Sequence, residues 1–230
     1  MEALLDILLP RHCLVCGQFA GARNLCTGCA AELPRAGDYC RCCALPLPGN
    51  PGAVCGTCLR APPPWEGAVT AFDYRYPVRQ LVQRFKFNRS LASGAVLAAE
   101  LSRAVRRAGR LPEVIVPVPL HGWRFFGRGY NQADLIARRL GRDLGLRVDT
   151  GLLRRRRRTP AQSGLDAVQR RRNVRGAFRA VRRRAPLPRS VALVDDVMTT
   201  GATLEACTRA LLRAGVRSVV LWVAARAPPP

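Results

Sequence analysis

The stretch that most limits what this chain can fold into is residues 191–206, VALVDDVMTTGATLEA. Val191, Ala192, Leu193 and Val194 have the length and composition of a buried parallel strand. That run stops at two carboxylates, Asp195 and Asp196. A polar loop holding Met198, Thr199, Thr200, Gly201, Ala202 and Thr203 follows, and then Leu204, Cys207, Leu211 and Leu212 recur at helical spacing. Strand, loop and helix in this order call for an α/β domain, where ligands sit at the carboxyl ends of strands. The helix start carries about half a positive charge and unpaired N–H groups, so an anion is expected there. Gly201 lets backbone approach that anion, and the threonine hydroxyls add donors. The two acids suit a sugar cis-diol. Because successive strand side chains point to opposite faces, the strand is expected to end at the acids. Helix capping accounts for one Asp or Thr but not for the whole cluster. No Gly-Lys-Ser/Thr follows the glycine, and Gly-x-Gly-x-x-Gly is absent from the stretch, which excludes a Walker loop and a dinucleotide fingerprint there.

The chain has ten cysteines, and eight of them form pairs: Cys13 with Cys16, Cys26 with Cys29, Cys40 with Cys43, and Cys55 with Cys58. A two-residue gap places both sulfurs on one metal, and two such pairs complete a tetrahedral thiolate site. Zn²⁺ is the fitting ion, with two ions expected. Sequential pairing and a cross-braced arrangement both satisfy the spacing. A Gly- and Pro-rich segment of this size cannot bury enough surface alone, whereas a structural zinc contributes about 10 to 16 kcal/mol. All four positions of each site are thiolates, so the role is structural rather than catalytic. Cys42 is a bystander in this reading, and Cys207 lies on the apolar face of its helix. Ala61-Pro62-Pro63-Pro64 is a stiff connector, dividing a Cys-rich module at 1–61 from a second domain at 62–230.

Beyond the connector, residues 68–74 alternate like a strand, and Pro77 opens a helix with Val78, Leu81, Val82 and Phe85 on one face. Lys86 follows as a solvated helix end or an anion contact. A helix over 91–105 leads to a strand over 114–118. Its exit, Pro117-Val118-Pro119-Leu120-His121-Gly122, precedes Arg124, Arg128 and Gly129, a turn suited to phosphate oxygens. His121 reads as a loop histidine. A helix capped by Asn131 and a last strand over 219–225 complete the pattern. No C-terminal hood is expected after that strand, so no acceptor is named.

The formal charge is +23, and Lys86 is the only lysine among the basic residues. Thirteen arginines lie between Arg154 and Arg184 against one acid, Asp166. They form either a charge-rich solvated loop or a surface for a polyanion such as single-stranded nucleic acid. Phe178 is the only aromatic residue in that window, which limits such contact to sequence-blind electrostatics. No run approaches the roughly eighteen apolar residues of a membrane span, so no membrane insertion is expected. Residues 1–10, MEALLDILLP, lack the basic region of a signal peptide and read as an amphipathic helix. The expected location is therefore the cytoplasm, with thiols reduced or metal-bound.

VALVDDVMTTGAT is similar to the PRPP-binding signature of type I phosphoribosyltransferases. Together with the four cysteine pairs, Pro117-Val118-Pro119-Leu120, Arg128-Gly129-Tyr130-Asn131-Gln132, Thr159-x-x-Gln162, Arg172-Asn173-Val174 and Gly176-Ala177-Phe178, it resembles the ComF family of competence-associated phosphoribosyltransferase-like proteins. The resemblance implies a mostly parallel sheet flanked by helices, preceded by the small zinc-binding module. It implies PRPP bound with Mg²⁺. Asp195 and Asp196 would be the catalytic acids on the ribose hydroxyls, and the loop from Met198 to Thr203 would wrap the 5′-phosphate. Pro119, Leu120, His121, Arg128 and Lys86 would lie on the diphosphate side, and residues 159–178 would form a lid. It further implies DNA uptake or use of imported DNA, with single-stranded DNA and the uptake machinery as partners. Two function classes follow: a Mg-dependent phosphoribosyltransferase with an unnamed acceptor, or a non-catalytic PRPP sensor or nucleic-acid or partner-binding adaptor.

Overall fold

The computed structural model describes residues 11–120, 129–157, 167–174, 176–181 and 186–228. The helix expected at 1–10, His121, Arg128 and the first part of the expected lid, 159–166, lie outside them. The chain opens with a short antiparallel pair, β1 (Arg11–His12) and β2 (Phe19–Gly21), and two single-turn helices, α1 (Thr27–Ala31) and α2 (Gly56–Arg60). Then follow β3 (Gly67–Asp73), α3 (Val78–Phe87), α4 (Leu91–Ala108), β4 (Val114–Pro117), α5 (Gln132–Leu144) and β5 (Arg147–Val148). After these come β6 (Leu153–Arg155), α6 (Ala167–Val174), β7 (Phe178–Ala180), β8 (Ser190–Met198), α7 (Ala202–Ala214) and β9 (Ser218–Arg226).

Five strands form one parallel sheet in the order β3-β9-β8-β4-β5. Apolar runs at β4, β8 and β9 suit such a sheet because both faces are covered. Val78, Leu81 and Phe85 of α3, Leu97 and Leu101 of α4, and Ile136 and Leu140 of α5 are buried on one face. Leu204, Cys207 and Leu211 of α7 are buried on the other, so Cys207 is the core residue its spacing suggests. Asn131 caps α5 by accepting from the Ala133 N–H at 3.1 Å.

The strand carrying the acids does not end at them. β8 continues through Asp195 and Asp196 to Met198, because β9 keeps pairing alongside it, Val197 with Ala225 and Met198 with Arg226. Ladder pairing with a neighbour of equal length outweighs the local polarity. At the other side of β9, the edge strand β3 is covered by the Cys-rich module. Asp73 N–H donates to the Pro34 carbonyl at 3.0 Å, Ala36 N–H to the Ala71 carbonyl at 2.9 Å and Ala68 N–H to the Arg41 carbonyl at 2.8 Å. The module thereby satisfies backbone groups that an open edge would leave for another chain. No helix among the described residues is long and apolar enough to cross a membrane.

Candidate functional site

The sulfurs gather in sequence order. Those of Cys13, Cys16, Cys26 and Cys29 lie within 4.8 Å of one another, and so do those of Cys40, Cys43, Cys55 and Cys58. A tetrahedral zinc with bonds of about 2.3 Å needs sulfurs roughly 3.8 Å apart. Cys16 and Cys26 are separated by 3.7 Å, and Cys43 and Cys55 by 3.6 Å, so both tetrads fit a structural zinc and the sequential pairing holds. Backbone donors prepare the anionic form. Burial pushes the Cys13 thiol up, but the N–H groups of Cys16, Cys26 and Val15 outweigh it and lower it to about 6. Burial likewise opposes the N–H groups of Cys55, Cys43 and Cys42 at Cys40, which is lowered to about 7. The remaining proton load is held elsewhere: hydrogen bonding to Cys16 and then Cys26 pushes Cys29 up to about 12, and burial chiefly pushes Cys43 up to about 11.

The tetrads contact different faces of the sheet. Cys13 joins the core containing α3, α4 and α5, whereas Cys40, Cys43 and Cys58 join the core containing α7 and Met198. Between these two cores stands the carboxyl end of β8.

There Lys86 Nζ lies 2.9 Å from Asp196 Oδ1, with the lysine side chain 22% exposed and the aspartate 9%. Lys86 is thus not a solvated helix end. Packing sets its position. Phe85 is buried against Gly94 in α4, where an added Cβ would stand 2.5 Å from Phe85 Cε2. The Tyr130 hydroxyl donates to the Phe85 carbonyl, and the two ring centroids are 5.4 Å apart. Arg84, two residues before Lys86, donates to the Leu14 carbonyl inside the first cysteine knuckle. Asp195 Oδ1 accepts from the Asp196 N–H at 2.9 Å. Strand alternation turns Asp195 toward α7, where burial first and then the Asp195 charge raise the Cys207 thiol well above its usual range. The carboxylates therefore leave the strand on opposite faces.

Thr199 and Thr200 form the bend after Met198, and α7 begins at Ala202. Gly201 caps that helix with φ +78°, and a Cβ there would stand 3.0 Å from Met198 Cε and 3.5 Å from Trp65 Cη2. The positive φ calls for glycine, and a Cβ would in addition push on the Met198 methyl. Thr203 lies in the first turn, where the helix still has N–H groups without intrahelical partners. Pro119 and Leu120 are half-buried at the exit of β4. A cleft of 230 Å³ opens beside them, lined by Pro117, Pro119, Leu120, Asn131, Asp134 and Thr150. In the arginine-rich segment, β6 and β7 pair antiparallel, Arg154, Arg156, Arg157, Arg172 and Arg179 are exposed, and Arg155 stacks over Phe178 at 5.3 Å.

Three residues that hold this site have no role in the sequence reading: Trp65, Gly94 and Arg226. The signals were weak. Gly94 interrupts a helical pattern, and Arg226 is a lone charge closing an otherwise apolar strand.

Two family descriptions match the chain, a double zinc ribbon domain over residues 4–59 and a phosphoribosyl transferase domain over residues 87–229. The chain is similar to competence protein F of Haemophilus influenzae, with 40% identity over 224 residues covering 94% of this chain and 97% of that protein. It is also similar to DNA utilization protein YhgH of Salmonella typhi, 38% identical over 230 residues, covering 96% and 99% respectively. Competence protein ComFC of Streptococcus pneumoniae is 26% identical over 148 residues, covering 64% of this chain and 63% of that one.

Proposed function

The chain belongs to the ComF family of phosphoribosyltransferase-domain proteins, and we propose that it binds PRPP at the carboxyl end of β8 in the service of DNA uptake or use. The observation that carries this reading is the convergence of Lys86, Asp196 and the start of α7 on one strand end. The 5′-phosphate would lie in the loop from Met198 to Thr203, receiving N–H donors and threonine hydroxyls without needing a lysine. Ribose laid across the end of the strand would meet Asp195 from one face and Asp196 from the other. Lys86 would turn from Asp196 to the diphosphate, on the side of Pro119 and Leu120. His121 and Arg128 belong to the same proposal through their place in the sequence.

Asp195 and Asp196 offer the hard oxygen donors that suit Mg²⁺, and an ion held with them and the ligand oxygens would supply neutralisation of the diphosphate charge. Residues 1–61 serve as the zinc module and residues 62–230 carry the ligand. Eight thiolates kept for metal fit a reducing compartment, which favours the cytoplasm. Exposed arginines of the 154–184 segment favour single-stranded DNA as the macromolecular partner.

Calorimetry with PRPP and Mg²⁺ tests the pocket. Replacement of both acids, Asp195→Asn with Asp196→Asn, abolishes binding if the assignment holds, and unchanged affinity sinks it. Diphosphate release above hydrolysis, with bases or single-stranded DNA as acceptor, assigns a transferase. Binding without release assigns a sensor or adaptor.

A further inference from the structure

Arg226 is a charged residue at the end of a central strand, and it is only 5% exposed. Among the described residues its guanidinium donates to backbone carbonyls. Nε donates to the Cys43 carbonyl at 2.8 Å, and Nη1 donates to the Met198 carbonyl at 2.9 Å and to the carbonyls of Thr199 and Ala227. One side chain thus grips a cysteine knuckle and the entrance of the phosphate-type loop. The charge has a source of compensation as well. A divalent ion held by four thiolates is left with a net charge of about −2, and the guanidinium meets that knuckle at the Cys43 carbonyl.

Trp65 makes a second link. Its Nε1–H donates to the Cys42 carbonyl at 2.6 Å, and the far end of the ring stands against Gly201. Met198, Ala202, Trp65, Cys40, Cys43 and Cys58 are buried in one continuous core. The first tetrad contacts α3 instead, where Arg84 donates to the Leu14 carbonyl.

We propose that the Cys40/Cys43/Cys55/Cys58 knuckle is part of the phosphate site, with Arg226 and Trp65 as positioning residues that couple its metal occupancy to the affinity of the Met198–Thr203 loop for a sugar phosphate. This rests on the reading of that loop as an anion site. The physical basis is that a fork of planar N–H donors fixes several carbonyls at once, so the loop and knuckle can shift only together. Coupling of this sort is reciprocal: if the metal tightens the sugar phosphate, the sugar phosphate tightens the metal by the same factor.

The test uses the full chain, zinc-loaded, with ribose 5-phosphate as probe because it reports the loop without the diphosphate side. Trp65→Phe removes the indole donor while keeping a ring, and Arg226→Lys keeps the charge while losing the fork. Expected losses of affinity are about fivefold for the first and at least about tenfold for the second, in line with one and several lost hydrogen bonds. Zinc content by mass spectrometry stays at two per chain for Trp65→Phe. In a Cys16→Ser/Cys29→Ser protein, which keeps only the second tetrad, saturating ribose 5-phosphate raises zinc affinity measured with a competing chelator, and Arg226→Lys removes that gain. Equal ribose 5-phosphate affinity in the wild type and Trp65→Phe, with zinc affinity indifferent to the ligand, overturns the coupling while leaving the loop assignment intact. Failure of the wild type to bind ribose 5-phosphate at all overturns the loop assignment and the coupling with it.

Discussion

Lys86 on α3 and Asp196 on β8 form an ion pair of 2.9 Å across the mouth of the candidate site, joining a helix end to the strand end that leads into the phosphate-type loop. Neither partner is freely solvated, so the pair is more than a surface contact. Lys86→Ala leaves the Asp196 carboxylate without its cation, at a cost of about 1 to 3 kcal/mol in urea unfolding. Asp196→Asn in the same background recovers part of that loss, because a neutral amide tolerates the same environment. A double-mutant cycle returns a favourable coupling. PRPP affinity falls by roughly ten- to a hundredfold in Lys86→Ala, as expected for a lost charge-assisted contact.

Gly94 controls that lysine from a distance. A methyl group at this position meets the Phe85 ring at 2.5 Å, and Phe85 immediately precedes Lys86. Gly94→Ala gains about 1 kcal/mol of helix propensity but loses about 1 to 3 kcal/mol to overpacking. The expected net effect is a lower unfolding temperature together with weaker PRPP binding. Higher stability with unchanged binding would show that the ring moves aside freely.

The readable and unreadable parts of this chain divide on physical grounds. The cysteine tetrads and the strand-loop-helix unit are local patterns, set by two-residue gaps and by apolar runs such as Val191 to Val194, and the sequence shows both. The extension of β8 to Met198 depends on Arg226 lying opposite in β9, which no local pattern encodes. Lys86 is similar: its helix is legible, but its partner is distant in sequence. The choice between sequential and cross-braced tetrads also required three dimensions, since either satisfies the spacing. The roles of Trp65 and Arg226 are not legible in the sequence because their partners are backbone carbonyls, which leave no trace in side-chain chemistry.

Acid separates the two zinc sites. Ligation requires thiolates, so protons compete with the metal. Burial disfavours the thiolate, and it is the first cause raising Cys43 and Cys58 of the second tetrad, whose residues are the more buried set. The Cys40 tetrad is therefore expected to release zinc at a higher pH than the Cys13 tetrad as the solution is acidified. Equilibrium titration against a chromogenic chelator, using Cys16→Ser/Cys29→Ser and Cys55→Ser/Cys58→Ser proteins to isolate each site, reads the order. The reverse order would mean that the donors to the sulfurs of the second tetrad outweigh its burial.

Single-stranded DNA binding, if the arginine segment serves it, has a salt signature that base recognition lacks. Arg154, Arg156, Arg157 and Arg179 are exposed on or beside the β6 and β7 pair, whereas Arg155 is engaged with Phe178. Each phosphate neutralised on a single strand contributes about −0.7 to the slope of log affinity against log salt. Four contacts give a slope of roughly −2.8. Replacement of Arg154, Arg156, Arg157 and Arg179 by Gln is expected to reduce the slope by that amount while leaving ribose 5-phosphate binding intact, because none of the four lies in the loop from Met198 to Thr203. Fluorescence anisotropy with oligonucleotides of two compositions measures both quantities at once. A slope unchanged by the four substitutions would place the DNA contact elsewhere, and a strong preference for one composition would show readout that these arginines cannot supply.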